Sequence, residues 1–203
     1  MEVLVVIGVL FILSALLFPA LVSWKKNSSQ HVCLINLKNI TLDYRVWAGD
    51  HNDKYPMQFS ATNSSATELT LVGSASANFQ VISNELSWPG YLHCPADTNR
   101  IAATNFTTDF NNNKISYFVG LDVDETHPQT LLSGDDNFEI GGVPVKSGLL
   151  KLSTNVSVSW AGSRHKFAGN IGLADGSVCE VTTSGLQQAF QQTGVATNRL
   201  ALP

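Results

Sequence analysis

The chain has 203 residues, a net charge of −4 and only 14% charged residues. No basic stripe runs through it, so it lacks the electrostatic footprint of a nucleic-acid binder. Asn, Ser, Thr and Gly are abundant while Lys and Glu are sparse, a composition that suits an exported, loop-rich β domain better than a cytosolic enzyme.

Residues Val3 to Val22 carry no charge, and fifteen of the twenty are Val, Leu, Ile or Phe. As a helix rising about 1.5 Å per residue this run is about 30 Å long, the thickness of a bilayer's hydrocarbon core. A cleaved secretory signal fits poorly: Glu2 is acidic, the apolar core is too long, and no A-x-A site follows. A plain membrane anchor fits the length. However, the nearest cations, Lys25 and Lys26, follow the run and by the positive-inside rule would hold the remainder in the cytoplasm. A third reading is a helix that first lies in the membrane and later packs against copies of itself. Pro19, inside the run, removes a backbone donor and is expected to kink or loosen the helix.

Cys33, Leu37, Ile40, Tyr44 and Trp47 then repeat at spacings of 4, 3, 4 and 3, which puts them on one stripe of a continuing helix. Lys38, Asn39, Asp43 and Arg45 are read on the opposite face, which makes this half of the helix amphipathic. A sheet is expected to pack on the stripe. The helix should end near Gly49, where GDHNDKYP gathers Gly, Asp, Asn and Pro56. That assigns 1–52 to an N-terminal helix, with 1–22 apolar and 23–52 amphipathic, and 53–203 to one globular β-rich head of ordinary domain size.

Within the head, Gln58 to Asn78 reads as a surface loop with one short helical turn around Glu68 to Val72, and Asn78 to Leu86 as a short helix. Trp88 to Asp97 reads as a buried strand reaching Cys94. A long irregular stretch follows, with Asn111 to Asn113 at its tip. Lys114 to Leu121 is a strand rich in β-branched and aromatic residues, and DVDETHPQ an acidic turn. A second strand ends at Gly134, and Val156 to Trp160 is another. Gly169 to Leu173 and Ser177 to Val181 form a hairpin around Asp175-Gly176, the strongest hairpin signal present. Ser184 is expected to cap a helix running to Gln192, and the last ten residues to fray.

The beginning of the chain, EVLVVIGVLFILSALLFPAL, resembles the start of type IV pilin-like proteins, the pilins and the pseudopilins of type II secretion. Glu2 falls on that family's glutamate and Pro19 on its helix-loosening proline. HVCLINLKNITLDYRVWAGDHNDKYP resembles the family's CxxNLKQ…YxxDNxxxxP segment, and the strand ending in CPAD its CPxD. His165, Asp175 and Gly176 match the H-x9-DG motif of pseudopilin-like members. The resemblance implies an α+β, pilin-like fold: a long N-terminal α-helix packed on a C-terminal antiparallel β-sheet head. It also implies a basic leader ending in glycine ahead of Glu2, removed by a prepilin peptidase with methylation of the new N-terminus. Such a leader would restore the charge rule and put the head outside the cytoplasm.

The function so implied is that of a structural subunit. It would wait in the inner membrane and then polymerise, with assembly machinery, into a helical type IV pilus-like or type II secretion pseudopilus filament, at the cell surface or in the periplasm. Glu2 would pair with the N-terminal amine of a neighbouring copy and set the stagger. Val3, Leu4, Ile7, Leu10, Phe11 and Leu17 would supply cohesion, and Pro19 would let the helix stretch. The alternative is a membrane-anchored module whose head, with Trp88 and its Asn/Ser/Thr-rich loops, binds a glycan or polymer without polymerising.

Catalytic chemistry has no foothold in the motifs: there is no phosphate-binding loop, no H-E-x-x-H and no G-x-S-x-G. No enzyme activity and no cofactor are expected. Calcium at Asp122, Asp124, Glu125, Asp135 and Asp136 is the one ion considered, but DVDETHPQ lacks a ligand rhythm. Three cysteines allow three pairings in an oxidising compartment. Cys33 with Cys94, tying helix to head, is preferred, with the pairings through Cys179 left open. His93, adjacent to Cys94, should point to the opposite face of its strand, and His165 is expected to brace its turn.

Overall fold

The computed structural model describes residues 2–59 and 73–203, and within the first helix it leaves aside the side chains of 2, 4, 5, 9 and 15–28. The side chains of Glu2, Leu4, Leu17 and Pro19 therefore lie outside the described residues, as does most of the expected loop with its turn at Glu68 to Val72.

One helix, α1 (Glu2–Asp50), takes 49 residues. It ends where expected: Asn52 and Asp53 adopt left-handed backbone at φ 58° and 56°, and the amide of Asp53 donates back to Ala48 O at 2.9 Å. Such conformations are open to Asn and Asp more readily than to most residues. The stripe of Cys33, Leu37, Ile40, Tyr44 and Trp47 is buried throughout, as its helical spacing demands.

Among the described residues every strand pairing in the head is antiparallel. Nine strands are found among the described residues: β1 (Tyr117–Gly120), β2 (Leu131–Asp135), β3 (Phe138–Ile140), β4 (Val143–Pro144), β5 (Gly148–Ser153), β6 (Val158–Trp160), β7 (Ala168–Leu173), β8 (Val178–Thr182) and β9 (Thr197–Leu202). Six of them form one sheet in the order β5-β9-β1-β2-β7-β8, and β4-β3-β6 form a second. The architecture is thus α+β, with α1 on one face of the larger sheet. Alternation along the strands divides the core in two. Tyr117, Val119, Leu132 and Ala201 face the helix stripe. Phe118, Leu131, Leu200 and Leu202 face the other way, onto Phe138 and Trp160 of the small sheet and onto Leu186 and Phe190 of the C-terminal helix.

The helix sits close on β7. A Cβ at Gly172 would run into Thr41 Cγ2, so the absence of a side chain there is what lets the helix approach the sheet. At the end of the same strand, the β7–β8 hairpin turns through Asp175 and Gly176, with Gly176 at φ 84°, as the Asp-Gly pair predicts.

Several sequence expectations need correction. The last ten residues do not fray: β9 lies between β5 and β1, inside the larger sheet, and Leu200, Ala201 and Leu202 are buried. The polar residues Thr197 and Arg199 disguised a period-two pattern whose other positions, Asn198 and Leu200, are buried. Trp88 to Asp97 is no strand. Pro89 opens a short 3-10 helix, Pro89–Leu92, because its fixed φ and missing donor suit a first helical position. Trp88 itself is half exposed. The short helix expected over Asn78 to Leu86 begins earlier, as α2 (Ala75–Val81), because the Ser74 side chain accepts from the amide of Ala77. The last helix, α3 (Thr183–Gln192), is capped by Thr182 rather than Ser184, with the Thr182 hydroxyl accepting from the amide of Gly185. The first strand is shorter than expected, since Asn112–Lys114 form a 3-10 turn. Strands β3, β4 and β5 were not anticipated.

One carboxyl on α1 makes the fold sensitive to pH. Asp43 is raised to about 6, first by burial and second by the nearby negative charge of Glu85. Its carboxyl gives up its proton more easily in the unfolded chain. Its contribution to stability is therefore greatest below the ordinary carboxylate range and is lost as pH rises through about 6. Asp43→Asn should be close to neutral at pH 4 and stabilising at pH 7.5, by no more than about 1 kcal/mol because the group is partly solvated. Thermal melts of both proteins across this range provide the check, and a difference that does not grow with pH would contradict the assignment.

Candidate functional site

Two features of the molecule exceed what a stable head requires: the uncovered face of α1, and a buried polar cluster where α1 is tied to the head.

The uncovered face carries an apolar row among exposed polar residues such as His31, Lys38 and Arg45. Val32, Ile35, Leu42 and Val46 are between 39% and 58% exposed. With Asn39 they follow the spacings 3, 4, 3 and 4, so at about 100° per residue they form a row roughly opposite the seated stripe. Val3, Val6, Leu10 and Leu13 repeat the 3, 4, 3 spacing near the start of the helix and are each more than half exposed, as are Ile7, Phe11 and Ile12. Of the expected assembly residues, Val3, Ile7, Leu10 and Phe11 thus have their side chains open on the helix surface. Among the described residues no helix is long and apolar enough to cross a membrane.

The tie is a disulfide between Cys33 on α1 and Cys94, whose Cα atoms are 5.1 Å apart. This is the preferred one of the three possible pairings. Cys179 is free and exposed on β8. Neighbouring bonds reinforce the tie: Asn36 Nδ2 donates to His93 O at 3.2 Å, and the Tyr117 hydroxyl donates to Cys33 O at 3.3 Å. His93 turns away from the disulfide, its Nε2 within 3.2 Å of Asp97 O and 3.1 Å of Arg100 O.

His165 reaches further than its own turn. Together with Lys166 and Phe167 it forms three successive left-handed residues, at φ 47°, 52° and 63°. L-residues adopt this conformation at a cost of about 1–2 kcal/mol each. The turn drives the imidazole inward until Nε2 lies 3.3 Å from Cys94 Sγ and 3.6 Å from Asp135 Oδ2. Asp135, at the end of β2, also accepts from the backbone amide and side-chain Nδ2 of Asn170 at 2.7 and 2.9 Å. Burial raises its carboxyl to about 7, against the opposing pull of Arg164 and the Asn170 amide.

Beside it, Arg164 and Arg100 hold two further buried acids. Arg100 Nη1 lies 3.1 Å from Asp97 Oδ2 and 2.6 Å from Asp136 Oδ2. Arg164 Nη2 bonds Asp136 Oδ1 and lies 3.5 Å from Asp97 Oδ2. The Ser116 hydroxyl donates to Asp97 at 2.9 Å. Burial alone would raise Asp97, but Arg164, Ser116 and Arg100 outweigh it and hold the carboxyl below the usual range. Sequence reasoning missed Asp97, Arg100, Arg164 and Asn170. The one available signal was charge, in a chain where charge is scarce.

The H-x9-DG residues thus stand at the two ends of β7. His165 meets the disulfide before the strand, and after it the Asp175 carbonyl accepts from Arg45 of α1. These residues meet the helix directly at Arg45 and, through the Cys94 end of the disulfide, at Cys33.

Four of the five acids read as possible calcium ligands have partners within the protein. Arg199 donates to Asp122 through its backbone amide at 2.6 Å and through Nε at 2.7 Å. Asp124 accepts from the Thr126 amide at 2.9 Å, and Asp135 and Asp136 belong to the buried cluster. Among the described residues, the one group of three or more His, Cys, Asp or Glu whose ligand atoms converge is Cys33, Cys94 and His165.

The fold and these two features define a class: an α+β protein in which a long helix is clamped to an antiparallel head along one face and left bare along the other. No family model, no curated protein and no solved structure matches the chain.

The buried charges lead to a stability prediction. Arg164→Met should leave Asp97 and Asp136 facing Arg100 alone and destabilise the head by about 3–5 kcal/mol, the usual effect of removing one partner of a buried ion pair. Urea denaturation measures it, and a loss under about 1 kcal/mol would show that the cluster is more solvated than its geometry suggests.

Proposed function

We propose that the protein is a pilin-like structural subunit that polymerises through α1 into a helical filament, either a type IV pilus-like fibre or a type II secretion pseudopilus. The observation that carries this reading is the bare apolar row on α1. A helix that only anchored a head would need apolar residues within the bilayer. It would not need Ile35, Leu42 and Val46 exposed alongside a stretch that is clamped to the head. Such a row is what a second helix would cover, and each large apolar side chain withdrawn from water contributes about 1.5–3 kcal/mol.

In this reading the apolar run 1–22 holds the subunit in the inner membrane until a peptidase and the assembly machinery act on it, and the heads then lie outside the filament's helical centre. Glu2 carries the register. A carboxylate at the edge of an apolar helix is costly unless paired, and the N-terminal amine of the next copy pairs with it at one axial offset only. No enzymatic step and no bound cofactor enter this function. The anchored binding module is kept as the second reading because Trp88 is half exposed beside Tyr91, with ring centroids 5.8 Å apart, an arrangement suited to stacking on a sugar ring.

Electron microscopy of the sheared extracellular or periplasmic fraction separates the two. Thin fibres are expected from the wild type and none from Glu2→Ala or Leu42→Glu, with both variants still made and held in the membrane. Fibres unaffected by Leu42→Glu would remove the exposed row from the interface. The absence of fibres from the wild type would favour the binding module.

A further inference from the structure

The disulfide lies in surroundings that a structural cross-link does not need. The Sγ atoms of Cys33 and Cys94 and a ring nitrogen of His165 all lie within 4.8 Å of one another, and all three residues are buried. Asp135 adds a carboxylate, with Oδ2 3.6 Å from His165 Nε2. Its other oxygen, Oδ1, is buried and has no hydrogen-bond partner. Leaving a buried polar atom unsatisfied is costly, and so is the left-handed turn that delivers His165. Outliers of this kind concentrate where a group must be held for a purpose.

We propose that in the dithiol form the converging Cys33, Cys94 and His165 bind one zinc ion, with Asp135, beside His165, supplying the fourth ligand through its unpartnered Oδ1. Thiolate, imidazole and carboxylate are the ligands zinc takes, at about 2.3 Å for sulfur and 2.0–2.2 Å for nitrogen and oxygen. These lengths give tetrahedral edges of about 3.3–3.8 Å. The separation of 3.3 Å between Cys94 Sγ and His165 Nε2 falls in that range, and the Asp135 carboxylate stands next to the same nitrogen, its Oδ2 at 3.6 Å. The covalent bond between the sulfurs excludes the ion, so cross-link and metal are alternatives at one place, and Asp135 stands outside the set of ligand atoms that already lie within 4.8 Å of one another. Asn170 fixes Asp135 through Oδ2, in the way an outer partner orients a metal-bound carboxylate.

The exchange between the two forms balances with an external disulfide as oxidant. The two zinc-bound thiolates supply two electrons, the Cys33–Cys94 bond forms, the S–S bond of the oxidant breaks, and two thiolates of the oxidant and one zinc ion leave. Both forms tie α1 to the head at Cys33, so the helix is held before oxidation as well as after it.

The test uses the full chain in detergent, carrying Cys179→Ser to remove the exposed thiol, reduced with a phosphine under anaerobic conditions and titrated with cobalt(II). The expected result is one equivalent bound, with a thiolate-to-cobalt charge-transfer band and the strong visible bands of tetrahedral cobalt, displaced by zinc and absent from the oxidised protein. His165→Ala and Asp135→Asn should each weaken binding at least about tenfold while circular dichroism shows the fold retained. Reduced protein that stays folded without those bands would overturn the proposal. So would variants that bind as tightly as the parent, or a dithiol form that unfolds and is not restored by cobalt.

Discussion

The helix α1 carries a buried apolar stripe and a second, exposed apolar row, and the head covers only the first. Everything else in the structure follows from how the covered face is held. Cys33, Leu37, Ile40, Tyr44 and Trp47 fill one side of the larger sheet, and Gly172 lets the helix come down onto β7. Once that face is fixed, the orientation of the other is fixed too, because the two are sides of one rigid cylinder. A row of Val32, Ile35, Leu42 and Val46 then points away from the head. In the proposed filament this converts an ordinary packing contact into a constraint on assembly: the head cannot rotate about its helix without breaking its own core.

The clamp is reinforced where the chain spends its scarce charges. Asp97, Asp135, Asp136, Arg100 and Arg164 gather next to the disulfide, although charged residues make up only 14% of the sequence. Buried ion pairs are weak evidence for net stability, but they are severe on misplacement, since each charge is tolerated only with its partner in position. The cluster therefore acts on specificity. It fixes where Cys94 and His165 stand, and through them where Cys33 and the helix stand. The motif residues at the two ends of β7 act in the same sense, one at the disulfide and one under Arg45.

Much of this organisation was legible in the sequence because it rests on periodicity. A 3–4 spacing identified the seated stripe, an Asp-Gly pair identified the β7–β8 hairpin, and a run of β-branched and aromatic residues identified β1. The failures share a cause as well. β9 was unreadable because half of its side chains are polar, and its place between β5 and β1 comes from long-range pairing that no local pattern records. Pro89 alone could have removed the strand expected at Cys94. The buried cluster was invisible because its members are far apart in the chain: Asp97 and Arg164 meet only through the sheet. The uncovered face of α1 was hidden in plain view, since a second apolar row reads as core until a structure shows what it faces.

The central claim, that this second row is covered by another copy of the helix, is open to a direct measurement. A photoreactive side chain placed at position 42 and irradiated in the assembled protein should yield an adduct with a peptide from α1 of another copy, identified by mass spectrometry of mixed isotope-labelled subunits. Adducts to lipid alone, or to the head's own residues, would mean that the row is not a helix–helix interface and would contradict the account.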